Sequence, residues 1–274
     1  MFVRIVSYAR VNNCKFYYDL NGSGPDIVFI HRENHGVEYF EFQLPHFSKT
    51  NRCLTYYRRA HGLTECPSYG YSLENQTLDL VELMDHLKIR RPVIIAIAFG
   101  STIAVNLALE YPERVGAIVM VAWSELEDTR DYIEHFERQR SIVVDVLKTK
   151  GKEGLVQYVL KEGNKISPVL PYDPRLREMY ARMFASRPAE SYDKRMELVT
   201  SVPNLIRRFH DIKIPVLGID GELDPFPSHH ELLKQVSNFQ EVRMANTRRF
   251  VHWERRNEFN KIVSDILSRV EITT

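Results

Sequence analysis

The chain has 274 residues, 44% of them hydrophobic, and a formal net charge of +1. That length and apolar content suit one large domain with a real core, or one domain carrying an insertion. The near-neutral charge gives no global pull toward nucleic acid or a membrane surface, and neither is expected as a partner.

Three cysteines, Cys14, Cys53 and Cys66, form no CxxC pair and no disulfide framework, which points to a reduced, cytoplasmic setting. The start of the chain alternates rather than running apolar, so it reads as a strand and not as a signal peptide. No apolar run is long enough to cross a bilayer.

Two alternating segments, Val3–Val11 and Lys15–Leu20, close on the turn residues Asn21, Gly22, Ser23, Gly24 and Pro25. Because Gly22-Ser23-Gly24 precedes a strand, it is a turn and not a phosphate loop. Ile27–Ile30 is a short continuous apolar run, the mark of a strand buried on both faces. A helix is expected around Val37–Phe47, and a second buried run at Cys53–Tyr57. Ser72–Leu87 carries Leu80, Val81, Leu83, Met84 and Leu87 at helical spacing. Val93–Ile97 follows, then a helix Thr102–Tyr111 stopped by Pro112, then a third buried run, Ala117–Ala122.

From about Glu125 to Val202 the pattern becomes charged, helical and aromatic, with no strand candidate. Its Tyr132, His135, Phe136, Tyr158, Tyr172, Tyr180 and Phe184 read either as packing between helices or as the apolar underside of a lid over a pocket. The alternation resumes at Pro215–Ile219, continues through Glu231–Val236 and Glu241–Met244, and ends in a helix, Glu258–Val270. Buried strands alternating with amphipathic helices imply an α/β fold, a mostly parallel sheet covered on both faces. Residues 1–124 and 206–274 make the expected core, and 125–205 a helical cap inserted in it. Ligands bind beyond the carboxyl ends of the strands in such sheets.

Five segments carry a more specific likeness. The first buried strand ends in His31-Arg32. The second is followed by Arg59-Ala60-His61-Gly62-Leu63-Thr64. The third ends in Ala96-Ile97-Ala98-Phe99-Gly100. Gly221-Glu222-Leu223-Asp224 follows a late strand, and Arg248-Arg249-Phe250-Val251-His252-Trp253-Glu254 comes near the end. Order and spacing resemble the α/β-hydrolase superfamily with a helical cap, over nearly the whole chain. The resemblance implies a triad at positions 98, 224 and 249. Asp224 fits the acid position, whereas Ala98 has no nucleophilic atom and Arg249 cannot take a proton as a base. Removing the serine or histidine of such a triad costs roughly 10⁶-fold in turnover, so ordinary acyl-enzyme catalysis is not expected. An alanine engineered in place of serine would account for Ala98 alone, and not for Arg32, Ala60, Ala96, Arg248 or Arg249. By the same resemblance the backbone N–H groups of Glu33 and Phe99 would form an oxyanion hole.

Three off-pattern residues, Arg32, Arg248 and Arg249, fall near the strand ends. Either Arg249 pairs with Asp224 while the other two face solvent, or the three make an anion-binding pocket. His31, Trp123 and Trp253 join them as candidate ligand-lining residues. Asp224, Glu33 and His252 are the candidate acid–base groups; Glu33 is expected at the surface, and His252 is read as a packing residue or as one that swings into the base position. His31, His35 and His61 are not on one helix and His229-His230 face different ways, so no metal site is expected, nor any cofactor.

Three functions remain open, in this order: an enzyme working on a small anionic or carbonyl-bearing molecule by non-covalent acid–base or electrostatic chemistry; a non-catalytic ligand-binding protein; and a scaffold with a vestigial pocket. A homodimer is left open.

Overall fold

The computed structural model of the chain describes residues 7–33, 35–123, 130–167, 169–189, 191–192, 194, 197, 205–226 and 230–269. Residues 1–6, 124–129 and 198–204 lie outside them, and with them the first part of the expected opening strand and the expected start of the insertion. His229 and the side chains of Tyr132, Phe136 and His230 lie outside as well.

β1 (Ser7–Val11) and β2 (Cys14–Asn21) form a hairpin across Asn12 and Asn13, which take φ of 41° and 56°. Asparagine tolerates that left-handed region better than most residues. β2 pairs antiparallel with β4 (Arg52–Tyr56). From β4 onward every neighbour is parallel: β3 (Asp26–Ile30), β5 (Val93–Ile97), β6 (Ala117–Val121), β7 (Val216–Gly221) and β8 (Phe239–Met244). The eight strands run in the order β1-β2-β4-β3-β5-β6-β7-β8. The chain leaves β3 for one side of the sheet and later adds β5 on the other. The loops beyond β3 and β5 therefore part at a topological switch point, where open α/β sheets hold their ligands.

Period-2 alternation sorts the strand side chains between two apolar layers. Val28, Ile30, Ile94 and Ala96 pack on one face with α1 (Leu73–His86) and α2 (Phe99–Glu110). Ile27, Phe29, Val93 and Ile95 pack on the other with α5 (Arg256–Leu267) and the helices between β6 and β7. Those helices are α3 (Arg130–Glu162), which bends at Gly151 where φ is 67°, and α4 (Pro174–Ala185). Caps fix two starts: Ser72 Oγ accepts from the Asn75 amide at 3.3 Å, and Asp173 accepts from the Arg175 amide at 2.8 Å with Pro174 in the first turn. Among the described residues no helix is long and apolar enough to cross a membrane.

Three elements differ from the sequence expectation. Val37–Phe47 is not one helix but two short turns, Val37–Phe40 and Leu44–Phe47. Pro45 has no N–H to give and would clash with the carbonyl four residues back. α2 begins at Phe99 rather than Thr102, directly out of the turn after β5. Glu231–Val236 shortens to one helical turn, His230–Leu233.

α2 leaves β5 so abruptly that a Cβ at Gly100 would lie 2.5 Å from the Ile30 carbonyl oxygen and 3.0 Å from that of His31. Both contacts are backbone and cannot rotate away. Gly100→Ala is expected to destabilise the fold by about 2 kcal/mol, read as a lower urea midpoint with an unchanged slope.

Candidate functional site

The turn between β5 and α2 places Ala98 at φ 51° and ψ −121°. A non-glycine residue there costs about 1–3 kcal/mol and persists only where its surroundings hold it. Here the Ala98 amide donates to the Val121 carbonyl at 2.8 Å, and the Ser101 amide donates to the Ala98 carbonyl at 2.8 Å. The next hydroxyls in the chain, Ser101 and Thr102, are fully buried and already engaged. Ser101 Oγ donates to the Ala96 carbonyl at 3.1 Å, and Thr102 Oγ1 accepts from Trp123 Nε1 at 3.0 Å. Neither stands in for a nucleophile at 98.

Opposite this turn, the loop after β7 carries Asp224 and the loop after β8 carries Arg249. Arg249 Nη1 lies 3.4 Å from Asp224 Oδ2, and both side chains are buried. Arg249 also donates through Nη2 to the Ala122 carbonyl at 2.9 Å, and its guanidinium sits 4.8 Å above the Phe226 ring. The second Asp224 oxygen accepts from the Phe226 amide at 3.1 Å.

The loop after β3 is held by a buried charge junction. Glu33 Oε2 accepts from Arg58 Nη2 at 2.7 Å, and Oε1 from Arg187 Nη1 at 3.1 Å. The same Arg187 nitrogen reaches the Glu33 carbonyl at 2.9 Å. Arg58 leaves the end of β4, while Arg187 follows α4, so three separate pieces of chain meet at one carboxylate. Glu33 is thus buried, against the surface placement expected from its residue type. With its oxygens given to two guanidiniums it is poorly placed to trade a proton with a ligand.

His31 is fully buried and its ring serves the backbone. Nε2 accepts from the Arg58 amide at 3.1 Å, so the proton sits on Nδ1, which donates to the Arg32 carbonyl at 2.8 Å. Burial, helped by the Arg58 charge, pushes it down to about 3. His61 lies between the Arg59 and Glu33 carbonyls at 2.7 and 2.5 Å. Burial and the Arg187 and Arg58 charges hold it well below the usual imidazole range, and as a neutral ring it donates to one carbonyl at a time. Trp123, two residues past the end of β6, was expected to line a pocket; it is fully buried against Phe209 in the apolar layer on the α1–α2 face of the sheet. Trp253 is buried against Tyr39, whose carbonyl accepts from its Nε1 at 2.9 Å.

The charges of Arg32 and Arg249 both act on the Tyr39 hydroxyl. Arg248 lies 4.4 Å over the ring of Tyr172, which is 65% exposed. Arg32 hydrogen-bonds the Tyr39 hydroxyl. His252 is fully buried beside Tyr39, with ring centroids 4.7 Å apart, and not beside Asp224's partner position. Burial and the Arg32 charge keep it neutral, pushed down to about 3. His35, weighed in the sequence only as a metal ligand, sits 4.8 Å from the same tyrosine ring. Among the described residues no group of three or more His, Cys, Asp or Glu side chains could hold a metal ion. Sequence reasoning missed Arg187, Arg58 and Tyr39; the paired arginines Arg58-Arg59 at a strand end were the one visible signal.

Residues 25–255 match the family model of the alpha/beta hydrolase fold. The chain belongs to the α/β-hydrolase fold family. Among curated relatives it is 28% identical over 223 residues to a putative 2-succinyl-6-hydroxy-2,4-cyclohexadiene-1-carboxylate synthase of Bacillus subtilis, covering 77% of this chain and 78% of that protein. It is 24% identical over 242 residues to a cis-3-alkyl-4-alkyloxetan-2-one decarboxylase of Shewanella oneidensis, covering 81% and 74%. The enol-lactonase of Burkholderia xenovorans LB400 superposes with a TM-score of 0.78 at 24% identity, over 96% of this chain and 100% of that one. A carboxylesterase structure from Nitrososphaera gargenis gives 0.84 at 21% identity, over 97% and 98%. In the α/β-hydrolase fold the turn after β5, where Ala98 sits, is the nucleophile elbow.

Two outcomes follow from these contacts. Arg187→Ala leaves Glu33 with one guanidinium and unties α4 from the strand ends. It is expected to cost about 3 kcal/mol and to raise amide hydrogen exchange in α4 ahead of the central strands. The second concerns pH. His31 and His252 stay neutral in the folded chain down to about pH 3, and His35 and His61 also titrate well below 6.5. Unfolded imidazoles take up protons near 6.5. Unfolding therefore binds protons between these values, so the stabilisation is full above 6.5 and is lost as pH falls toward 3. Urea midpoints should drop steeply from pH 7 to 5, and His252→Leu should flatten that slope.

Proposed function

We propose that this α/β-hydrolase-fold protein binds a small carbonyl- or carboxylate-bearing molecule between the strand ends and the helical insertion, without forming an acyl-enzyme. The contact between Arg249 and Asp224 beside an alanine elbow carries this reading. Triad chemistry needs a nucleophile at 98 and an imidazole on Asp224. A guanidinium in that place keeps the acid paired and takes no proton.

The scaffold for binding remains. The elbow keeps its strained backbone, and the first turn of α2 offers N–H groups without intrahelical acceptors. The two curated relatives are named for small carbonyl compounds, a cyclohexadiene carboxylate and an oxetanone, which supports the ligand class. Binding without turnover fits the rest of the site best. Asp224 is engaged by Arg249 and the Phe226 amide, Glu33 by two guanidiniums, and His31 by two backbone groups. One observation favours the second reading, non-covalent acid–base catalysis: the ring nitrogens of His35 and His252 have no hydrogen-bond partner among the described residues.

A serine-directed fluorophosphonate should leave the protein unlabelled, and activated esters should turn over no faster than in buffer. Ala98→Ser with Arg249→His should give measurable esterase activity, while either change alone gives almost none, because the triad acts as a unit. Stoichiometric labelling of the unaltered protein near the elbow would sink the proposal. Vigorous turnover by Ala98→Ser alone would make His252 the operating base.

A further inference from the structure

The amino ends of β5 and β6 border a hollow of about 640 Å³. Ala98, Asp224 and Arg249 all follow the carboxyl ends of strands, so the length of a five-residue strand, about 16 Å, lies between them and this hollow. Lys88, Arg90 and Arg91 line it from the segment after α1, Glu113 and Arg114 from the turn before β6, and Asp85 from the end of α1. No aromatic side chain lines it.

Its cations and acids are unequally matched. Arg114 takes Asp85 through Nη2 at 2.7 Å. It also covers the carbonyls of Ile89 at 3.3 Å and Arg90 at 3.4 Å, which would otherwise turn a negative end toward an anion. Among the described residues no carboxylate pairs with Lys88, Arg90 or Arg91, and all three are exposed. Arg91 gives only its Nε, to the Val115 carbonyl at 3.3 Å. Glu113 is exposed and unpaired as well. Lys88, Arg90 and Arg91 set against Glu113 leave two positive charges at the hollow.

The backbone marks Lys88 independently. It stands at φ 57° just past the end of α1. Its amide donates to the Asp85 carbonyl at 3.1 Å, and the Ile89 amide to the Met84 carbonyl at 2.8 Å. This is the helix-ending turn where glycine is usual, because a side chain strains the left-handed backbone. A cation near the carbonyl end of a helix is favourable, but Arg114 already supplies one. The strain therefore points to a use for the ammonium group in the hollow.

Two net positive charges match a phosphate monoester, which carries close to two negative charges at neutral pH. Guanidinium forks fit its oxygens. The hollow has the size of a small-molecule site, about 300–1,000 Å³, so it holds more than the phosphate. With no ring to stack on, it does not suit a nucleobase or an aryl group. The Glu113 carboxylate repels a bare anion and accepts from hydroxyl groups, which selects a polyol body.

We propose that Lys88, Arg90, Arg91 and Glu113 form a second binding site, for a phosphorylated polyol of sugar-phosphate size. It does not depend on the reading of the strand-end site given above.

The ¹⁵N-labelled chain is titrated at low salt with glucose-6-phosphate, glucose, inorganic phosphate and sulfate. Amide signals of Lys88, Arg90, Arg91 and Glu113 should shift saturably with glucose-6-phosphate, which should bind at least about tenfold more tightly than the other three. Arg90→Gln and Lys88→Gly should each weaken that binding about tenfold. Lys88→Gly should also hold the thermal midpoint or raise it by about 2 °C, since it relieves the strain. Glu113→Gln should bring inorganic phosphate closer to glucose-6-phosphate. Vesicles containing phosphatidylinositol phosphate separate the sources of this chemistry. A soluble ligand leaves the protein in the supernatant, whereas sedimentation reversed by glucose-6-phosphate assigns the same site to a lipid headgroup. Equal responses to glucose-6-phosphate, phosphate and sulfate would be general anion attraction and overturn the site. So would shifts confined to the loops bearing Ala98 and Arg249, or a Lys88→Gly variant that binds as wild type does. Fluorophosphonate labelling at the elbow removes the proposed function and leaves this site untouched.

Discussion

One buried carboxylate sets where the pieces of this protein sit. Glu33 binds Arg58 from the end of β4 and Arg187 from beyond α4, and all three side chains are nearly inaccessible. Such a junction is weak evidence for stability, since apolar packing of equal volume often does as well. Its force lies in what happens when one partner leaves, because the remaining charges are stranded in a poor solvent. It therefore acts as a register mark. Arg187 also holds the Glu33 carbonyl, so the backbone after β3 is fixed as well as the side chain. With that loop fixed, His31 turns back onto the Arg58 amide while Arg32 reaches the Tyr39 hydroxyl. The position of the insertion and the chemistry of the loop are one decision.

The elbow makes a different point about what a fold conserves physically. Its backbone strain does not depend on the side chain that hydrolytic chemistry requires. Ala98 stays at positive φ because the Val121 carbonyl and the first turn of α2 hold it there. Gly100 is needed because the Ile30 carbonyl leaves no room for a Cβ. Packing demands thus maintain the turn with a methyl group at its tip. Across the site Asp224, buried at its side chain, still requires a partner, and arginine supplies a permanent charge where a histidine would supply a titratable one.

Much of the fold was legible because burial on both faces writes itself as continuous apolar runs. β3, β5 and β6 lie within about a residue of where those runs predict them. The start of α2 was not, since Phe99-Gly100-Ser101 looks like turn composition and is helical only because the sheet ends beneath it. The helix expected over Val37–Phe47 failed at Pro45, a local rule outweighed there by apolar spacing. At the site, motif order brought Asp224 and Arg249 together from 25 positions apart. Arg187 was invisible because it lies 154 positions from Glu33 and belongs to no motif. For the same reason Glu33 was expected at the surface: glutamate is seldom buried unless paired, and nothing near it in sequence announces its partners.

Among the described residues, four buried histidines bear most directly on function. All are kept neutral first by burial and then by nearby arginine charge. A neutral ring in a core is tolerable when its nitrogens are used: His31 uses both, on the Arg32 carbonyl and the Arg58 amide, and His61 donates to one loop carbonyl at a time. His35 and His252 have the same burial and no such use, although phenylalanine or leucine would fill the space without stranding a nitrogen.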